Sequence, residues 1–241
     1  MFIKRILLLL NTVVSYLLLL IIAIFIFVPL LILLCVIPQS KVATNRFVFW
    51  LLHIGYAGTI YALLMPIKIQ GTIPFEPSTI IANHQSAIDI PVIGYLCKGY
   101  PHMWYVLDYY ARKPILSFFT KRLGVSVTRD NGIQAAKSLL IGLKKVADKP
   151  CHTLIFPEGG RFIDKNIHPF LGGFAIIARK TGRPVVPVYL KNLGTILPPG
   201  FLTLQARLPI DVIVGPLYYY GESETDEQFV ARVYEWFQQQ Q

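Results

Sequence analysis

Charged side chains are scarce in this 241-residue chain, and acidic ones are the scarcest. Charged residues make up 15% of the chain, whereas soluble proteins average roughly 25%. There are 13 acidic residues against 23 basic ones, so the net charge is +10. Hydrophobic residues account for 54%. This composition is unlike that of an ordinary water-soluble protein, and it predicts that part of the surface contacts lipid.

Cysteine is rare, and the motifs of several common protein classes are absent. The three cysteines, Cys35, Cys97 and Cys151, show no Cys-x-x-Cys spacing, which favours free thiols over a disulfide framework. The histidines match no zinc-ligand pattern, so no metal is expected. No helix-turn-helix, zinc-finger or RNA-binding signature accompanies the positive charge. That charge therefore favours anionic lipid head groups or phosphorylated substrates over nucleic acid.

The amino-terminal region lacks charged side chains over a long run. Residues 6–37 contain none, and this run exceeds the roughly 20 residues that a membrane-spanning helix needs. It is too long for the apolar core of a cleaved signal peptide. Basic residues flank it on both sides, so its orientation stays open, and a helix that bends near Pro29 is an alternative to a straight span.

A second apolar segment, residues 42–65, is interrupted by Arg46 and His53. Polar positions of this kind favour a helix that packs against protein or lies at the membrane interface. We therefore expect membrane-anchoring helices in residues 1–65 and an α/β domain in residues 66–241.

Beyond residue 66, short apolar runs alternate with helical patterns. Strands are predicted at residues 78–82, 123–128, 152–156, 185–190 and 210–214, and helices at residues 132–146 and 174–180. Strands separated by helices predict an α/β fold whose mostly parallel sheet is flanked by helices. Because ligands bind at the carboxyl ends of such strands, polar residues there are the candidates for chemistry.

The first candidate pair, His84 and Asp89, follows the strand at residues 78–82. A histidine can take a proton from a hydroxyl near neutral pH, and a carboxylate on its other ring nitrogen fixes the tautomer. Backbone N–H groups near His84 are candidates for stabilising an oxyanion. Taken alone, the spacing also fits a surface histidine and a helix-start aspartate. Ser86 lies too close in sequence to complete a hydrolase triad, and Gly-x-Ser-x-Gly is absent.

Two further groups of candidates follow the strands at residues 152–156 and 123–128. Glu158, Gly159 and Arg161 come after the first of these. Glycine lets backbone approach a ligand, and a guanidinium group fits phosphate oxygens. Arg129 follows the other strand and could meet the same phosphate. Singly, each stretch is as compatible with an ordinary turn that carries a solvated arginine.

The order of these motifs resembles that of the glycerolipid acyltransferase family, whose bacterial members include 1-acylglycerol-3-phosphate acyltransferases. The matching stretches are, in order, His84-x4-Asp89, Gly124 to Arg129, Phe156-Pro157-Glu158-Gly159-x-Arg161 and Val186-Pro187-Val188. They cover roughly residues 78–190. An apolar amino-terminal segment also fits the family.

The resemblance implies a membrane-bound enzyme that moves a fatty acyl group from an acyl thioester to the sn-2 hydroxyl of lysophosphatidic acid. It implies that His84 is the general base, that Asp89 orients it, and that the hydroxyl attacks the thioester without an acyl-enzyme. The residues implied to bind the acceptor and its phosphate are Arg129, Glu158, Gly159 and Arg161. Val186-Pro187-Val188 would form a wall near the acyl or acceptor site.

The partners implied are membrane lipids, a lysophospholipid acceptor, and acyl-CoA or acyl carrier protein as the donor. No cofactor and no nucleic acid is implied. The implied location is a cytoplasmic or inner membrane, with the active site facing the cytoplasm.

Three departures from the family pattern leave the acceptor open. Gly160 stands where many relatives have threonine, and residues 104–108 and 171–173 lack a lysine that many relatives have. The alternatives are acyl transfer to another lysophospholipid or lipid, a membrane esterase, and a lipid-binding protein without catalytic activity.

Overall fold

Seven strands form one mixed sheet in the computed structural model, which describes residues 2–128, 132–162, 164 and 166–241. The strands are β1 (Ile67–Gln70), β2 (Thr79–Ala82), β3 (His102–Leu107), β4 (Gly124–Val127), β5 (His152–Ile155), β6 (Val185–Lys191) and β7 (Ile210–Val214). Their order is β1-β7-β6-β2-β5-β3-β4. All neighbours run parallel except β6 and β7. The predicted α/β fold with a mostly parallel sheet is confirmed.

Helices cover both faces of this sheet. They are α1 (Phe2–Ile22), α2 (Val28–Val36), α3 (Gln39–Val42), α4 (Arg46–Tyr61), α5 (Asp89–Leu96), α6 (Asp108–Ala111), α7 (Pro114–Leu123), α8 (Gly132–Val146), α9 (Gly173–Thr181), α10 (Leu193–Ile196) and α11 (Asp226–Gln240). Alternate residues of β2 point to opposite faces. Ile80 packs with α5 and the end of α4, whereas Ile81 packs with α9 and α11.

The amino-terminal run forms one helix, Ile3–Val36, which is long and apolar enough to cross a membrane. Only 11% of its most apolar stretch is buried against the rest of the chain. A π-helical turn at Ala23–Phe27 joins α1 to α2 immediately before Pro29. Proline has no N–H and crowds the carbonyl group one turn earlier, and a widened turn relieves that conflict. The irregularity lies close to Pro29, near which a bent helix was one of the alternatives left open by the sequence.

Helix α4 runs back along this long helix. Asn11 donates a hydrogen bond to the carbonyl oxygen of Leu63 at 3.3 Å, while Ile22 lies against Gly58 and Phe27 against Gly55. These contacts fix an antiparallel helix pair. Seven residues of α4 are buried, which corresponds to the packed rather than the interfacial alternative left open for residues 42–65.

The elements that were not predicted include β1, β3 and α11. Strand β1 is only four residues long, and its isoleucines alternate with a lysine and a glutamine. Helix α11 covers Asp226–Gln240. It begins with a capping box formed by Thr225 and Gln228 and buries Phe229, Val233 and Phe237 at helical spacing.

A buried polar network joins α4 to β3. Nδ1 of His102 donates to the carbonyl oxygen of Tyr100 at 2.9 Å, so Nε2 accepts from the hydroxyl of Tyr56 at 3.3 Å. The same hydroxyl accepts from the indole N–H of Trp104 at 3.4 Å. Burial lowers the pKa of His102 to about 4, so its ring is neutral at pH 7.

This network predicts a loss of stability in mild acid. The unfolded chain takes up a proton at His102 below its ordinary pKa of 6.5, but the folded chain does not until about pH 4. The free energy of unfolding in detergent should therefore fall between pH 7 and pH 5, with about 2 kcal/mol of the decrease due to His102. His102→Gln should remove that share of the pH dependence. An unchanged pH dependence in this variant would contradict the assignment.

Candidate active site

His84 and Asp89 form a hydrogen-bonded pair at the carboxyl end of β2. Nδ1 of His84 lies 2.9 Å from Oδ2 of Asp89, which is wholly buried at the start of α5. The same oxygen accepts the backbone N–H groups of Gln85 at 2.6 Å and Ser86 at 2.8 Å. Because Oδ2 accepts from Nδ1–H, the lone pair of His84 is on Nε2. The pair thus has the geometry of an oriented general base.

Neighbouring polar residues hold this turn against the sheet. The side-chain amide of Asn83 donates to the carbonyl oxygen of Leu190 and accepts from its N–H, at 2.9 and 2.7 Å, which extends the contact between β2 and β6. The hydroxyl of Ser86 donates to the carbonyl oxygen of Leu197 at 2.8 Å. Ser86 is therefore engaged away from His84, in agreement with the expectation that it forms no hydrolase triad.

The imidazole ring of His84 lies flat on an aromatic stack. The rings of His84 and Phe156 are 3.8 Å apart between centroids and inclined by 8°. Phe156 stacks in turn on Trp104, at 5.6 Å and 26°. The adjacency of β2, β5 and β3 brings these three rings into line. The network of Tyr56 and His102 that anchors the indole thus also supports the ring that carries Nε2.

Glu158 supports the same loop from inside the protein. Its Oε1 accepts the backbone N–H of His84 at 2.7 Å, and its Oε2 accepts the backbone N–H of His168 at 3.0 Å. The residue is 4% exposed, and burial raises the pKa of its carboxyl group to about 7. The sequence predicted that Glu158 binds the acceptor. The structure directs both of its oxygens to backbone groups, which is the geometry of a positioning residue.

The backbone donors next to His84 are already engaged. The N–H groups of residues 84, 85 and 86 donate to the carboxylates of Glu158 and Asp89. They cannot also be the oxyanion donors that the sequence suggested, because each N–H makes its strong hydrogen bond to a carboxylate.

The structure gives different outcomes for the other predicted site residues. Gly159 takes a positive φ of 64°, which a side chain would disfavour. Arg129 lies outside the described residues. Val186 and Val188 are wholly buried in the core rather than on the wall of a site.

An apolar cavity of about 710 Å³ opens beside the histidine. Its lining includes His84, Phe156, Gly159 and Arg161, together with residues from α1, α4, β3 and α7. Among the described lining residues, the exposed Arg161 has the one permanently charged side chain. The volume lies in the range of small-molecule sites. A histidine with the geometry of a general base, a cation and an apolar space therefore meet in one place, which suits an amphiphile with an anionic head group.

Comparison with known proteins identifies the family. A family model described as Acyltransferase matches residues 67–191, that is, 125 of the 241 residues. The chain belongs to the acyltransferase family. Every residue of the predicted site lies within the matched range.

Curated relatives of this acyltransferase carry one name. This chain is 29% identical over 192 residues to the 1-acyl-sn-glycerol-3-phosphate acyltransferase of Limnanthes douglasii, a match that covers 75% of this chain and 63% of the relative. It is 30% identical over 143 residues to the chloroplastic enzyme BAT2 of that name from Brassica napus, covering 59% and 41%. The acyltransferase thus spans less than two thirds of the length of these relatives.

A solved structure shares the fold of this acyltransferase. It is the 1-acyl-sn-glycerophosphate (LPA) acyltransferase PlsC of Thermotoga maritima, with a TM-score of 0.75 and 20% sequence identity. The match covers 98% of this chain and 97% of that one, so it includes the amino-terminal helices as well as the sheet.

Sequence reasoning missed the residues that hold the base in place. The signal for Asn83 was a polar residue at the end of a fully buried strand, and the signal for Phe156 was its place before the Pro-Glu-Gly turn. No sequence signal could assign Trp104, because its contact with Phe156 depends on the order of the strands.

The geometry of Glu158 predicts a defect in rate rather than in binding. Glu158→Gln replaces one acceptor oxygen by an NH2 group, which opposes a backbone N–H and should displace His84. We expect kcat for acyl transfer to fall by about 10²-fold while the acceptor KM changes little. A raised acceptor KM with an unchanged kcat would instead support the direct acceptor contact predicted from the sequence.

Proposed function

We propose that this protein is a membrane-associated O-acyltransferase that converts lysophosphatidic acid to phosphatidic acid. The acyl group comes from a thioester, either acyl-CoA or acyl carrier protein, and enters at the sn-2 hydroxyl. The observation that carries this proposal is the meeting of the His84–Asp89 pair and Arg161 on one apolar cavity. The names of the curated relatives support the choice of acceptor.

The proposed step needs no metal and no cofactor. Nε2 of His84 removes the proton of the acceptor hydroxyl as its oxygen attacks the thioester carbonyl carbon. The tetrahedral oxyanion then collapses, the C–S bond breaks, and the thiol carrier leaves with the proton returned by His84. Asp89 stabilises the imidazolium ion between these two transfers, because its Oδ2 lies 2.9 Å from Nδ1.

The proposed acceptor site lies at Arg161. A guanidinium group binds phosphate oxygens through paired hydrogen bonds, and the glycines before Arg161 let the backbone approach the head group. Arg129 is proposed to assist. The aliphatic chains of the substrates occupy the apolar lining, whose burial contributes most of the binding free energy.

We propose that residues 1–65 anchor the enzyme in a cytoplasmic or inner membrane. The helix Ile3–Val36 supports this, since most of its apolar surface is not buried against the protein. The active site then faces the cytoplasm, where both thioester carriers are found.

A different lysophospholipid is the second candidate acceptor. The described lining offers Arg161 as its single fixed cation, whereas a phosphate monoester carries about two negative charges. Just after β3, Asp108 and Arg112 form an ion pair, and this pair adds no net positive charge to the site. A phosphodiester head group, which bears one charge, would match a single arginine.

A panel of acceptors separates these candidates. Purified protein in detergent would receive an acyl thioester with lysophosphatidic acid, with other lysophospholipids, or with no acceptor. We expect phosphatidic acid as the main product. Preferred acylation of a phosphodiester acceptor would support the second candidate. Release of free fatty acid without an acceptor would indicate an esterase, and no turnover at all would indicate a binding protein.

Removal of the base should abolish transfer. We expect His84→Ala to lower the transfer rate by about 10²–10⁴-fold, the usual contribution of general-base catalysis. His168→Ala is a matched control, because His168 also contacts an aspartate, Asp164, at 3.0 Å but is absent from the described cavity lining. Near-normal transfer by His84→Ala, with membrane association intact in both variants, would refute the mechanism.

Removal of the cation should weaken acceptor binding. Arg161→Ala should raise the KM for lysophosphatidic acid by roughly 10–100-fold, because a charge-assisted contact contributes about 1.5–3 kcal/mol. Arg179→Ala is the control, since Arg179 is an exposed arginine paired with Asp226 on the other face of the sheet. An unchanged acceptor KM, with only the thioester KM altered, would refute the assignment.

A further inference from the structure

The segment that follows α10 ends in an exposed apolar tip. The N–H of Phe201 donates to the carbonyl oxygen of Pro198 at 3.2 Å, and Gly200 has a φ of 84°. With Pro199 at the second position, these features are those of a type II turn. The turn presents Phe201, which is 51% exposed, and Leu202, which is 78% exposed. Proline and glycine pre-form this turn, so the two apolar side chains are held outward.

This tip is fastened to the long amino-terminal helix. The hydroxyl of Tyr16 donates to the carbonyl oxygen of Leu202 at 2.5 Å. The N–H of Leu204 donates to the hydroxyl of Thr12 at 3.2 Å. On α1, Val13 and Leu17 beside these residues are about half exposed. The tip therefore continues the outward apolar surface of the helix with residues that lie almost 200 positions later in the chain.

The charge around this surface has one sign. No acidic residue occurs in residues 1–75 or in residues 165–210. Arg207 is exposed and lies at the end of α4, where its guanidinium group is 3.4 Å from the carbonyl oxygen of Leu64. Apolar and aromatic side chains next to a cation, with no carboxylate, complement a leaflet with anionic head groups.

We propose that the tip at residues 198–202 is a second membrane contact, which inserts Phe201 and Leu202 into an anionic lipid leaflet beside α1. The proposal rests on the membrane association given under the proposed function. Tyr16 and Leu202 also line the cavity. The surface that contacts the membrane is then the outer side of one cavity wall, so an acceptor in the leaflet lies next to the proposed binding site.

Depth-dependent fluorescence tests the proposal. Cys97 and Cys151 are buried, so Cys35→Ser leaves a background in which Phe201→Cys can be labelled with an environment-sensitive fluorophore. Phe75→Cys is the matched control. Phe75 is 68% exposed and contacts Tyr100 just before β3, at the end of the sheet opposite His84. Both full-length proteins would be reconstituted into phosphatidylcholine vesicles containing phosphatidylglycerol.

At position 201 we expect blue-shifted emission that is quenched by lipids with spin-labelled acyl chains, and at position 75 neither effect. Equal, water-like emission at both positions would overturn the proposal. So would a shift at position 201 that appears in detergent and grows with protein concentration, because that would indicate contact with a second copy of the chain.

An activity measurement separates this proposal from the proposed function. Phe201 is absent from the described cavity lining, so Phe201→Ser should keep the rate with a short-chain acceptor dispersed as monomers. It should lower the rate with an acceptor embedded in vesicles. Equal loss with both acceptors would overturn the proposal. If wild-type protein acylated neither acceptor, the proposed function would fail, while the fluorescence result would still decide the membrane contact.

Discussion

The hydrogen bonds to a single buried carboxylate oxygen organise the candidate active site. Oδ2 of Asp89 accepts from the ring of His84 and from the two backbone N–H groups that follow it. The same set of hydrogen bonds closes the turn between β2 and α5 and fixes the tautomer of the histidine. Ring orientation and backbone path therefore cannot vary separately, and the base keeps its direction before a substrate arrives.

The rest of the site extends this constraint outward. Glu158 accepts a hydrogen bond from the backbone N–H of His84, Phe156 stacks on its ring, and Trp104 stacks on Phe156. Phe156 and Glu158 follow β5, Trp104 lies on β3 and His84 follows β2, so these three strands must be paired before the histidine is held rigidly. Burial raises the pKa of Glu158 to about 7, because a charged carboxylate at this buried position costs electrostatic free energy. Such a cost is typical of groups that are retained for a site rather than for stability.

Much of the fold and part of the site could be predicted from the sequence. Periodicity located five strands, the helix at residues 132–146 and the long apolar helix, because buried faces impose a pattern on local sequence. His84 and Asp89 could be paired because they share one turn. The role of Trp104 could not be predicted, since it depends on the order of the strands in the sheet, which is a tertiary property. The family resemblance implied that Glu158 binds the acceptor, whereas the hydrogen bond from the backbone of His168 to its buried carboxylate depends on tertiary structure that the sequence does not reveal.

The contacts of Thr12, Ser15 and Tyr16 with the cavity have a consequence for how this protein can be handled. The long amino-terminal helix forms one wall of the cavity, and it holds the segment whose Leu197 carbonyl oxygen accepts a hydrogen bond from the hydroxyl of Ser86 beside His84. A fragment beginning at residue 66 would leave that cavity open to solvent along one side. The helix that is long and apolar enough to cross a membrane therefore also encloses the cavity, and truncation would remove both features together.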